Sequence, residues 1–149
     1  MSLSRLNSKL IAFGNRLQSP LLLIIRLFWG GTFVVTGIGK LTHIEGVTVY
    51  FQMLKIPFPT FHAYLSGSIE MIGGAFLLLG LFSRWAAIPL IIIMLVAFAT
   101  AEMEATRMIF HNPQNFIHRT PFSFLFASLL IFVFGPGKAS LDYWFWKNR

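Results

Sequence analysis

The chain has 149 residues, 56% of them hydrophobic and only 11% charged, with a net charge of +7 and no cysteine. A soluble domain carries about 25% charged residues, so the composition excludes an ordinary water-soluble globule and leaves room for roughly four apolar spans of some 20 residues. Disulfides, thiol relays and cysteine-ligated clusters are excluded as well, and the basic residues, spread beside apolar stretches, mark membrane topology and anionic-lipid contact and not nucleic-acid binding.

Residues 1–19 do not read as a signal peptide, because they hold neither a continuous apolar run nor a small-residue cleavage site. Leu3, Leu6, Leu10, Phe13 and Leu17 recur at helical spacing, while Arg5, Lys9 and Arg16 fall off that stripe. The pattern predicts an amphipathic helix on the membrane surface. Ser19-Pro20 predicts a helix start, since proline suits the first turn, and opens a first span over 20–41. A loop over 42–60 follows, then a second span over 61–82. Ser83-Arg84 is a short turn, which makes the second span and the third, over 85–101, antiparallel neighbours. Residues 105–120 read as a connection broken at His111-Asn112-Pro113, and a short fourth span over 121–134 ends at Gly135-Pro136-Gly137.

The expected fold is thus an all-α integral membrane protein: a four-helix bundle over 20–142, an amphipathic surface helix over 1–19 and an aromatic, basic tail over 143–149. In that tail Tyr143, Trp144, Phe145 and Trp146 suit the headgroup zone, followed by Lys147 and Arg149. Counting cations, one side holds Arg5, Lys9, Arg16, Arg84, Lys138, Lys147 and Arg149, against Lys40, Lys55, Arg107 and Arg119 on the other. The richer side is expected to be cytoplasmic, with both termini there.

Two ionisable residues fall inside spans, Arg26 in the first and Glu70 in the second. A charge at mid-membrane costs on the order of 3 kcal/mol even on the mildest scale, so each should face the bundle interior. Arg26, Gly30, Phe33, Gly37 and Lys40, spaced four, three, four, three, share one face of the first span. His62, Ser66, Glu70 and Gly74 form a matching stripe on the second, with Gly67 and Gly73 alongside. If the stripes meet, Arg26 reaches Glu70 only with both side chains extended. The arrangement admits a structural ion pair locking the bundle. It equally admits a functional site in which His62, Ser66, Glu70, Arg26 and Lys40 line a proton path or the pocket of an amphiphile such as a quinone.

Thr100, Glu104, Arg107 and His111 share a face if the third helix continues beyond its span, with Glu102, His118 and His43 as further neighbours. Carboxylates beside histidines raise a metal site, with Glu104 and His111 the candidates, but no tight ligand spacing such as HExxH is present. A solvated rim with salt bridges is the expectation, and no metal. Gly37-Ile38-Gly39-Lys40 is not a phosphate loop: Val34 stands at its first glycine position and Leu41 at the Ser/Thr position.

Leu23 to Leu41 (LIIRLFWGGTFVVTGIGKL) resembles the opening helix of the DoxX family. Glu70-Met71-Ile72-Gly73-Gly74 and Gly80-Leu81-Phe82-Ser83-Arg84-Trp85-Ala86-Ala87 look like that family's second and third helices, and Gly135-Pro136-Gly137-Lys138-Ala139-Ser140-Leu141-Asp142 like its usual ending. The resemblance implies a four-helix protein of the bacterial cytoplasmic membrane. Some members are subunits of thiosulfate:quinone oxidoreductase and others belong to oxidative-stress complexes. It therefore implies a subunit of a quinone-linked redox system, with quinone as the cofactor, Glu70 and Arg26 handling its head or protons, and a redox partner or a second copy alongside. A non-catalytic assembly subunit is the alternative, and an oligomeric proton or solute carrier the third. Fold alone does not decide among them.

Overall fold

The computed structural model describes residues 3–146. They are helical nearly throughout: α1 (Leu3–Ile25), a π-helical turn (Arg26–Gly30), α2 (Gly31–Thr42), α3 (Ile44–Met53), α4 (Pro59–Leu79), α5 (Ser83–Thr100), α6 (Met103–Arg107), α7 (Pro113–Ile117), α8 (Thr120–Phe134) and α9 (Leu141–Trp146). Three helices are long and apolar enough to cross a bilayer: the 37-residue stretch Leu6–Thr42, which runs through α1, the π turn and α2, then Pro59–Leu79 and Ser83–Thr100. The apolar helix Thr120–Phe134 is shorter, at 15 residues.

The expected helix start at Ser19-Pro20 is not found. Helix α1 continues through Pro20. Proline inside a helix removes one backbone hydrogen bond, that to the carbonyl four residues earlier, here Arg16, which is exposed where other donors can serve it. At 1.5 Å per residue the 37-residue helix is ~55 Å long, well beyond the roughly 30 Å of a hydrocarbon core. The leading part of α1 carries Leu3, Leu6, Leu10, Phe13 and Leu17, all exposed. Lys147 and Arg149 of the expected tail lie outside the described residues.

The expected loop over 42–60 contains α3, which packs on α4. Lys55 and Phe58, at φ 57° and 48°, turn the chain back into α4 through left-handed backbone. The connection over 105–120 likewise holds α7 and most of α6, with Asn112 capping α7 by accepting from the Asn115 N–H. The third helix does not run on past its span: it breaks at Ala101-Glu102 and restarts as α6.

Helices α2 and α4 form the tightest pair, and glycine makes it possible. A Cβ on Gly37 would strike the Met71 backbone nitrogen, and one on Gly74 would stand 2.6 Å from Phe33 Cβ and 2.9 Å from the Gly30 carbonyl oxygen. Small residues let membrane helices approach until backbones touch, which replaces the missing hydrophobic drive with dispersion contacts. These contacts set an antiparallel register, with Gly37 level with 67–71 and Gly30 with 74–78. The remaining core is apolar, with Phe33 of α2 edge-on to Phe124 of α8 at 4.5 Å and Leu77, Leu90 and Ile131 fully buried.

Candidate functional site

The register decides which polar groups meet. Arg26 lies eleven residues before Gly37, which is level with Glu70, so the two charges sit ~16 Å apart along the bundle. A direct Arg26–Glu70 pair, which the sequence leaves open, therefore does not form. Lys40, one turn beyond Gly37, donates to Glu70 Oε1 at 2.6 Å instead. Glu70 is buried, with 2% of its side chain exposed, whereas Lys40 keeps 32%. A long cation of this kind reaches inward to a fixed carboxylate while its stem covers apolar surface.

Arg26 is buried too, but its partners are all main-chain oxygens. Its Nε donates to Leu77 O at 2.8 Å and Nη2 to Leu78 O at 3.0 Å, while Nη1 donates to Pro136 O and Ala139 O at 2.8 and 2.9 Å. The first two are carbonyls that the end of α4 leaves without helical partners. Gly80 closes α4 at φ 71°, where its N–H bonds Leu77 O and that of Leu81 bonds Phe76 O, a Schellman arrangement. Leu78 O is not served by that motif, and Arg26 serves it. The other two oxygens belong to the segment after α8, so one guanidinium ties three parts of the chain together. The next contacts continue the junction. Asp142 N–H donates to Gly80 O, and the Asp142 carboxylate accepts from the Phe82 and Ser83 N–H groups at 2.7 and 2.9 Å, capping α5.

The Lys40–Glu70 pair stands on the wall of a cavity of about 580 Å³ lined by α2, α3, α4, α5 and the start of α8. His62 and Ser66 lie on the same wall, as the stripe on the second span predicts, and Thr36 faces them from α2. Tyr50, Phe51, Ile69, Met94 and Phe124 make most of the rest apolar. Ser66 spends its hydroxyl on Ala63 O at 3.2 Å, and His62 sits half-buried with Nδ1 3.2 Å from Phe58 O. Of the five expected pocket residues, four line this cavity and Arg26 does not. The walls that α3 supplies were hidden by reading 42–60 as a loop. Glu104 and His111 are both exposed, and no group of three or more His, Asp or Glu residues stands close enough to hold a metal among the described residues. Glu102 pairs with Arg119 at 3.3 Å on that rim.

The cavity volume is within the roughly 300–1,000 Å³ usual for small-molecule sites, and apolar walls with a few convergent polar groups are their common chemistry. Long apolar helices, charges turned inward and a pocket between helices define a helical membrane protein. A model of the DoxX family matches residues 21–103, and this chain belongs to that family. The uncharacterized membrane protein Rv3486 of Mycobacterium tuberculosis is 33% identical over 135 residues, covering 83% of this chain and 80% of its own. CatD of Bacillus subtilis, provisionally named an oxidoreductase, is 31% identical over 86 residues, covering 58% of this chain and 63% of its own. No solved structure gives a significant match.

Proposed function

We propose that this protein is the membrane component of a quinone-linked redox system and that the cavity beside Lys40 and Glu70 receives the quinone head. The observation that carries this reading is a buried ion pair on the wall of an otherwise apolar cavity between membrane helices. A quinone supplies two-electron, two-proton chemistry on a ring with hydrogen-bond acceptors and an apolar tail, and the residues present fit it. The ammonium of Lys40 has donors beyond the one engaged by Glu70. Glu70 fixes that ammonium in place and offers a second carboxylate oxygen to a hydroxyl. The apolar walls from α3, α5 and α8 suit the tail. With no cysteine in the chain, electrons come from a partner protein. The provisional name of the Bacillus relative supports a redox setting.

Protein purified in mild detergent is expected to yield quinone on solvent extraction, near one per chain in the wild type and little in Glu70→Gln of equal helicity. No quinone in either sample would overturn this reading. It would favour the second one, an assembly subunit in which the glycine contacts and Arg26 junction merely hold a partner's platform.

The same proposal includes four spans, with α8 completed by its flanks, both termini in the cytoplasm of a bacterial cell, and residues 3–19 resting on the membrane surface. Single cysteines introduced into the cysteine-free chain test it. Positions 16 and 138 should react only after the membrane is permeabilised, and positions 55 and 107 in intact cells. The reverse pattern would invert the topology.

A further inference from the structure

A second cavity, of about 610 Å³, lies at the other end of the bundle, where α5 begins and α8 ends. Its walls include Leu22 of α1, Arg84 and Trp85 of α5, Phe134, Lys138 and Asp142. Two cations against one carboxylate leave this lining with one unmatched positive charge. The Asp142 carboxylate is already engaged, holding the Phe82 and Ser83 N–H groups. Arg84 makes one long bond, 3.4 Å to Val133 O, and neither it nor Lys138 has a carboxylate partner among the described residues.

Two further features mark the place as a receptor for an anion. Helix α5 is 18 residues long, and after Asp142 has taken its first two donors the N–H groups of Arg84 and Trp85 still have no partner within the helix. The positive end of the helix dipole lies there too. Independently, Ser83 is also on this cavity wall, fully buried, and its hydroxyl has no hydrogen-bond partner. A buried hydroxyl without a partner carries a desolvation penalty, which a bound acceptor would relieve. The apolar part of the lining, together with Trp85 and Trp144 exposed at the same end, suits the boundary between headgroups and acyl chains.

We propose that this cavity binds the phosphate headgroup of an anionic phospholipid, independently of the site beside Lys40. A phosphodiester carries one negative charge, which matches the unmatched cation, and its oxygens accept from Ser83, Arg84, Lys138 and the α5 backbone. Leu22 and Phe134 lie where the chains would descend.

The test is native mass spectrometry of the full-length protein in mild detergent, titrated with phosphatidylglycerol, with phosphatidylcholine and inorganic phosphate as separate arms. The expected result is one phosphatidylglycerol retained per chain in preference to phosphatidylcholine. Arg84→Gln and Lys138→Gln should each weaken it about five-fold, the effect of one basic residue near an anionic surface, and Ser83→Ala should weaken it as well. Arg84 and Lys138 are exposed, so their variants should keep the wild-type helical signal. Unchanged affinity in the double variant, or equal retention of phosphatidylcholine, would overturn the site. Inorganic phosphate bound in place of phosphatidylglycerol would overturn the lipid as its source.

Discussion

Arg26→Gln should lower stability by about 3–5 kcal/mol, because it strips three carbonyls of their donor and each costs about 1–3 kcal/mol, toward the lower end here since these bonds are only part-buried. The oxygens of Leu78, Pro136 and Ala139 depend on it, whereas Leu77 O loses the Nε bond but keeps the Gly80 N–H. Glutamine is shorter and has two donors, so it cannot reach both α4 and the segment after α8. Arg26→Lys keeps the charge but concentrates its donors on one atom, and cannot reproduce the planar fork that spans Leu77 and Pro136. It should fall between the other two. Unfolding in detergent, followed by helical signal against temperature or denaturant, ranks the three. An Arg26→Gln variant within about 1 kcal/mol of wild type, half the smallest cost expected for two orphaned carbonyls, would mean that water or lipid headgroups replace the guanidinium. The segment after α8 should also become protease-sensitive in this variant, since it loses two of its anchors.

The positions of α4 and α5 were legible in the sequence to within a few residues, because long apolar runs bounded by Pro, Gly and Arg have few other solutions in a bilayer. So was the glycine face, since Gly30, Gly37, Gly67 and Gly74 recur at helical spacing and each sits where α2, or the π turn before it, meets α4. Register was not legible. It depends on which glycine seats against which backbone, and the segment joining α2 to α4 gave no length constraint until α3 was seen to fold within it. Helix α3 itself holds Gly46, Val47, Thr48, Val49 and Tyr50, all weak helix formers, so packing against α4 overrides propensity. The environment of Arg26 was hidden for another reason. Its partners are main-chain oxygens, which every residue carries, so no side-chain pattern reveals them. Asp142 left a trace only as part of a family-like ending, although its spacing from Ser83 in the chain says nothing of the cap it forms.

Lys40→Met should cost about 3–5 kcal/mol, the usual penalty for removing one partner of a buried pair, because Glu70 is left in an apolar wall with no donor. The mirror change should cost less. In Glu70→Gln the stranded group is Lys40, which keeps 32% of its side chain exposed and can swing toward water or headgroups, so about 1–2 kcal/mol is expected from the weaker hydrogen bond alone. The double variant Lys40→Met, Glu70→Met should recover most of the loss, since well-packed apolar replacements of a buried ion pair are often neutral. Thermal unfolding of the four proteins closes a double-mutant cycle. Equal losses for the two single variants, with a double variant equal to their sum, would show that the pair is not coupled. If the double variant is as stable as wild type, it becomes the means of separating architecture from chemistry. A pair retained only to lock α2 onto α4 is dispensable in that protein, and any bound quinone should remain. A pair retained for the cavity's ligand is not, and a fully folded double variant should then be purified without it.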